Sequence, residues 1–170
     1  MSRLERFRSH KDDFFRTDPH SPLTPEQQSD FDGLSYYPED PALRFEVMLD
    51  RDAVNPEPVE LDTSTGTTKT FIPAGNANLV IEGQPVSVTL YREQGRGRYF
   101  LPFRDATAGS ETYTLGRYLD PQETPSGEVV IDFNYAYNPY CAYNDGWECP
   151  IPPPENHVNV PIQAGEKAFS

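Results

Sequence analysis

Two hydrophobic periodicities divide the chain near residue 40. Before that point Leu4, Phe7, Phe14 and Phe15 are spaced for one face of a helix. Ser2 and Glu5 form the capping-box pattern that starts it. Asp18-Pro19 ends it, because proline disfavours helical backbone in the residue before it. Thr24-Pro25-Glu26-Gln27 repeats the start signal and predicts a second, short helix to about Phe31, broken by Gly33.

From Leu43 onward the period changes to two. Alternation predicts strands at 44–49, 59–63, 67–72, 78–81, 86–92, 98–103, 112–119, 128–133 and 159–162. Gly66, Gly75, Gly83, Gly95 and Gly97 fall between them, where hairpin turns call for positive backbone angles. Strand follows strand with no helical crossover, so the sheet is expected to be mostly antiparallel. The expected fold is therefore mainly β, an antiparallel barrel or sandwich with one or two short N-terminal helices. A single domain over 1–170 is expected, with a helical segment at about 1–33 and a β domain at about 43–170. Eighteen prolines and eleven glycines agree with short strands and many turns rather than a bundle.

Charge narrows the partners. Fourteen cationic residues face 27 acids, a formal net charge of −13, and only Lys11, Lys69 and Lys167 are lysines. That balance opposes nucleic acid and anionic membrane surfaces, which need cationic side chains to displace counterions. It also repels itself in a compact chain unless salt screens it, since the Debye length falls to ~3 Å at 1 M. An acid-rich, lysine-poor composition predicts a protein adapted to concentrated salt. The first twenty residues carry charge throughout and show no apolar core of a signal peptide. No apolar run is long enough to span a membrane. A cytoplasmic location is expected.

Candidate chemistry gathers in the C-terminal half. Alternation in TYTLGRYLD puts Arg117 on the face of Tyr113, Leu115 and Leu119, where a guanidinium needs a carboxylate or an anionic ligand to offset desolvation. In EVVIDFNYAY, Asp132 and Asn134 share a face. A hairpin across PQETPSG would bring Asp132 near the level of Arg117. One reading is a structural Arg–Asp bridge; the other is a polar pocket in which Arg117 binds an anion and Asp132 orients it or acts as base. Six of the ten tyrosines lie between Tyr113 and Tyr143, which suits either a pocket wall or a core short of aliphatics.

Residues 138–156, NPYCAYNDGWECPIPPPEN, hold both cysteines and the only tryptophan. The prolines favour an extended, rigid loop over one end of the sheet. A pocket there would take Arg117, Tyr118, Asp132, Asn134, Tyr137, Asn138, Cys141, Glu155 and Asn156 as ligand-binding residues, for a small polar or anionic molecule. An enzyme alternative uses Asp132 or Glu155 as base, with Arg117 as anion stabiliser in a hydrolase or isomerase. A third reading presents loop 138–154 to a protein partner, and predicts an exposed apolar surface there.

Cys141, Cys149 and His157 offer a minor zinc alternative, at a spacing unlike zinc knuckles or ribbons. Packed thiols, a local disulfide, or a Cys141 nucleophile with His157, His10 or His20 nearby are the other readings. No cofactor is specified. Arg92, Arg96, Arg98 and Arg104 form a second, weaker patch at a hairpin tip, and no phosphate-cradling loop accompanies them.

The run LPFRDATAGSETYTLGRYLD, then DFNYAYNPYCAYNDGWECPIPPPEN, then IQAGEK, resembles a bacterial and archaeal family, domain of unknown function 1684. KDDFFRTDPHSPL and GLSYYPED are similar to it too, so the resemblance covers nearly the whole chain. The family pattern carries the two cysteines and the Glu155-Asn156 pair without requiring a histidine after them. The resemblance implies that these segments belong together and assigns no chemistry.

Overall fold

A computed structural model describes residues 1–94 and 97–169. Gly95 and Arg96, placed above at a hairpin tip, lie outside the described residues. Helix α1 (Arg3–Thr17) starts with the expected capping box between Ser2 and Glu5, and its last turn closes on Asp18. Helix α2 (Pro25–Asp30) starts at Thr24 with the same device through Gln27.

Among the described residues eight strands follow: β1 (Arg44–Val47), β2 (Val59–Asp62), β3 (Thr68–Ile81), β4 (Gln84–Glu93), β5 (Tyr99–Phe103), β6 (Arg117–Leu119), β7 (Gln122–Glu123) and β8 (Val129–Asp132). They form two antiparallel sheets, a curled five-stranded half-barrel in the order β2-β3-β4-β5-β6 and a three-stranded sheet in the order β1-β8-β7. The main core packs between them, from Ala77, Leu79, Val88, Leu90, Leu101 and Phe103 on one side and Val129, Ile131 and Phe133 on the other.

Several boundaries differ from the periodicity. The strands expected at 67–72 and 78–81 are one long strand, with a register shift between Pro73 and Gly75. Gly75 is therefore no turn. A Cβ there would stand 3.0 Å from the Leu49 Cβ and 3.3 Å from the Asp50 carbonyl oxygen, so the glycine permits close approach of a neighbouring segment. The strand expected at 112–119 begins only at Arg117. Gly116 takes φ +107°, and a Cβ there would stand 2.4 Å from the Phe103 carbonyl oxygen, so the chain turns sharply into β6.

The expected hairpin between 112–119 and 128–133 does not form. β6 pairs with β5, while β8 pairs with β1 and β7 in the other sheet. Asp132 is consequently opposite Arg44 and not Arg117. Segment 159–162 keeps the period-two burial of Val158, Val160, Ile162 and Ala164 but is not a strand. The Val160 carbonyl accepts from the Ala106 N–H at 3.2 Å, and the Ile162 carbonyl accepts from the Arg117 side chain.

Loop 138–156 does close one side of the half-barrel. At one end Tyr137 and Tyr118 exchange N–H···O bonds of 3.0 and 2.8 Å on the free edge of β6. At the other, the Ile151 N–H bonds the Asp62 carbonyl at 2.8 Å and the Ser64 N–H bonds the Cys149 carbonyl at 2.9 Å, beside the free edge of β2. One segment thus covers both sheet edges, leaving less open ladder for another chain to pair with. Among the described residues, no helix is long and apolar enough to cross a membrane.

Candidate functional site

Residues of the half-barrel that point away from the main core carry a row of aromatic rings. Phe71 of β3 stacks on Phe100 of β5 at 5.4 Å, Phe100 meets Tyr118 of β6 edge-on at 4.8 Å, and Tyr118 meets Tyr137 at 5.8 Å. Loop 138–150 faces this row with Pro139, Tyr140, Trp147 and Pro150. Between row and loop lies a cleft of about 400 Å³. Lys69, Glu93, Arg98, Asp120 and Glu148 also line it. The Tyr118 hydroxyl crosses to donate to the Pro150 carbonyl, tying the loop to the sheet. A second cleft of about 710 Å³ runs between the start of α1 and β8, lined among others by Arg44, Asp132 and Tyr135. Asp120 and Tyr137 belong to both clefts.

Of the residues singled out from sequence, Tyr118, Tyr137 and Asn138 come together at the first cleft, and Cys149 joins them. Cys141 lies behind the wall, its N–H donating to the Cys149 sulfur at 3.4 Å. The others go elsewhere, and the reasons are physical.

Arg117 is fully buried. Its guanidinium donates to the carbonyls of Ala164, Glu166 (3.1 Å) and Ile162 (2.9 Å), with Asp105 at 3.4 Å. It stands over the Phe103 ring at 5.2 Å. Four partners meet its two terminal nitrogens, Nε stays buried without one, and the full burial leaves no opening for a ligand anion. Burial pulls its pKa down, and Asp105 counters this by favouring the charged form. Asp105 in turn accepts from the Ile162 N–H at 2.6 Å. The guanidinium and carboxylate together hold the C-terminal segment where a strand was expected.

Asn134 and Asn156 are buried struts. Asn134 exchanges bonds of 2.8 and 2.9 Å with the Asp40 backbone. Asn156 accepts from the Thr89 N–H and donates to the carbonyls of Thr89 and Pro102. The β4–β5 ladder itself pairs only Tyr91 with Phe100 and Arg92 with Tyr99, so Asn156 spans the two strands beyond it. Asp132 lines the second cleft, where it caps Asn134 and lies 4.0 Å from Arg44. Glu155 is exposed and accepts from the Tyr91 hydroxyl at 2.7 Å. His157 is exposed, its ring 3.3 Å from the Pro152 carbonyl. Among the described residues, no cluster of three or more His, Cys, Asp or Glu side chains could hold a metal ion.

The two cysteines are free thiols in mutual contact. The Cys149 thiol donates to Cys141 and pulls the Cys141 pKa down to about 6, helped by the Tyr113 hydroxyl; the same contact, with burial, pushes Cys149 up. Cys141 is thus the thiolate of the pair above about pH 6. Iodoacetamide at pH 7 is expected to label Cys141 before Cys149, with a rate that rises through a midpoint near 6. Cys149→Ala removes the donated bond and moves that midpoint up toward the ordinary thiol value of about 8.5. Peptide mass mapping across a pH series reads both, and an unmoved midpoint in the variant would assign the effect to something other than Cys149.

Sequence reasoning missed four contributors. Phe100 is legible in retrospect as an aromatic between core positions Tyr99 and Leu101, whereas Phe71 shares the parity of core Ala77 and Leu79 and reaches the other face only through the register shift between Pro73 and Gly75. Asp120 carries no local signal. Glu166 is 2% exposed and accepts from the Asn138 N–H and the Tyr143 hydroxyl, both at 3.0 Å. Its other oxygen pairs with Lys11 of α1, whose ammonium lies 5.0 Å from the Tyr137 ring centre. This buried pair fixes the loop's first residues against α1.

The family described as "Protein of unknown function (DUF1684)" matches residues 29–167, which include every strand and all the lining of the first cleft. Among solved structures, an uncharacterized protein of Haloarcula marismortui, determined by solution NMR, is 34% identical, with 96% of this chain and 91% of that one covered and a TM-score of 0.73. Comparison with curated proteins gives no match. By the extent of the family match, the chain belongs to the DUF1684 family.

Proposed function

We propose that the protein binds a small molecule with a flat apolar body in the cleft between the half-barrel and loop 138–150. The aromatic row from Phe71 through Phe100 and Tyr118 to Tyr137 carries this reading. Of the four rings Phe71 and Tyr118 are buried, while Phe100 and Tyr137 are half-buried and offer apolar surface to an occupant. The burial of the loop supports a pocket over a partner-docking surface. In segment 138–154 only Asp145, Gly146, Trp147, Glu148 and Pro154 are exposed, whereas Tyr143 and Cys149 are buried and Tyr140 half-buried. The enzyme reading gains nothing, because Asp132 and Glu155 do not share a cleft with each other or with Arg117.

Trp147, the only tryptophan, lines the cleft and is its own reporter. Titration with the uncharged aromatic probe N-phenyl-1-naphthylamine is expected to quench Trp147 emission saturably, at one probe per chain. Native mass of protein isolated from its own cells is expected to exceed the chain mass by a releasable small molecule. Unsaturable quenching together with a bare native mass would sink the reading.

The composition supports a cytoplasm of high salt as the setting. With −13 formal charges on 170 residues, self-repulsion is expected to lower stability in dilute buffer. Thermal unfolding followed by circular dichroism should therefore shift upward from about 0.1 M to about 2 M KCl, as the Debye length drops from about 10 Å to below 3 Å. An unchanged midpoint would contradict this.

A further inference from the structure

The hydrogen-bonding sense of the cleft points to a particular ligand class. Three polar groups beside the aromatic row spend donors inside the protein. The Tyr118 hydroxyl donates to the Pro150 carbonyl. The Tyr137 hydroxyl donates to the Asp120 carboxylate, at 2.8 and 3.0 Å from its two oxygens. The Asn138 amide nitrogen donates to the Lys167 carbonyl at 3.0 Å. At these groups acceptor capacity remains: two phenol oxygens and a carboxylate at the cleft, with the buried Asn138 Oδ1 beside them. Asn138 is 1% exposed, and its Oδ1 has no hydrogen-bond partner. A buried acceptor without a donor is costly unless something supplies one.

The cations of the cleft do not fill that role. Lys69 lies at the rim, 3.8 Å from Glu148. Lys11 approaches the Tyr137 ring from the α1 side, but its ammonium is held by Glu166. Arg98 and Lys11 act on Asp120 through space, and Asp120 makes no ion pair among the described residues. The exposed Asp120 carboxylate therefore stands beside aromatic faces with lone pairs free. Aromatic faces together with a carboxylate favour an organic cation, through ring quadrupoles and charge-assisted hydrogen bonds.

We infer that the cleft takes an N–H-donating organic cation, a primary amine or related ammonium on an apolar body, with the cation at Asp120 and the Asn138 end and the body along the Phe100–Tyr118 rings. This rests on the cleft being a binding site at all, and it departs from the anionic ligand that Arg117 suggested in the sequence.

Two probes of matched length separate the possibilities, 2-phenylethylammonium and 3-phenylpropionate, titrated against Trp147 emission in about 2 M KCl. At that salt the net negative charge no longer biases the comparison. The ammonium is expected to bind at least tenfold more tightly than the carboxylate. Asp120→Asn, at an exposed position, is expected to weaken the ammonium about tenfold and to leave the carboxylate unchanged. If neither probe binds, the cleft reading falls and this inference with it. If 3-phenylpropionate binds as well or better, or Asp120→Asn leaves the ammonium affinity unchanged, the cleft stands and the cationic ligand is overturned.

Discussion

Arg117→Met is expected to destabilise the fold by about 4 kcal/mol, enough to unfold a protein of ordinary stability in part. The side chain is 0% exposed, so its replacement leaves three backbone carbonyls without donors and Asp105 as an unpaired buried carboxylate. Breaking a buried pair from one side is the expensive case, because the surviving charge keeps its desolvation cost. Arg117→Lys is not expected to rescue it. One ammonium cannot reproduce a planar fork that meets Ala164, Glu166, Ile162 and Asp105 together. Adding Asp105→Asn to Arg117→Met should restore part of the loss, and urea denaturation of the four proteins gives the coupling directly. If Arg117→Met melted within 1 kcal/mol of the parent, taking ~1 kcal/mol as the scale of ordinary substitutions, the clamp would be wrong and a ligand role for Arg117 would reopen.

Glu166→Gln is expected to cost about 3 kcal/mol, for a related reason. The carboxylate is 2% exposed and its Lys11 partner 16%. The amide keeps an acceptor for the Asn138 N–H and the Tyr143 hydroxyl but turns an N–H₂ group toward the ammonium. Lys11 must then lose its proton or swing to solvent, giving up its place between the Tyr137 and Phe15 rings. Because the pair is shielded, the loss is expected to persist at about 2 M KCl. An exposed pair such as Arg44 with Glu46 should lose its small effect there. Lys11→Met combined with Glu166→Gln should cost less than the sum of the two. A salt-sensitive loss, or strict additivity, would deny the pair its role in docking α1 on the loop.

These two clamps mark the limit of what local sequence can say. The helices were legible down to their caps, since Ser2 with Glu5 and Thr24 with Gln27 act within one turn of chain. Most strands were legible because alternation records which face is buried, and β4 runs close to its expected span. Arg117 was legible as a guanidinium in need of compensation, but its partners were not. Asp105 and the carbonyls of 162–166 lie 12 to 49 positions away, and no periodicity links them. Segment 159–162 showed strand alternation and yet forms no regular strand: the Ala106 N–H bonds the Val160 carbonyl, and beyond it Arg117, not a neighbouring backbone, bonds the carbonyls of Ile162, Ala164 and Glu166.

The cleft was half visible. Tyr118, Tyr137 and Asn138 stood out as a tyrosine-rich loop and its flank, whereas Phe71, Phe100 and Asp120 join them only after the sheet curls. By itself the sequence determined the helices and their starts, most of the strands and the acidic charge balance, all properties of neighbours along the chain. The tertiary structure alone decided that β6 and β8 part into different sheets and that one loop spans the edges of β6 and β2. It also decided that Tyr118, Tyr137 and Asn138 spend donors internally. Those outcomes depend on which distant edges meet when the core closes, and closure is a competition among whole-chain packings that no short window of sequence contains.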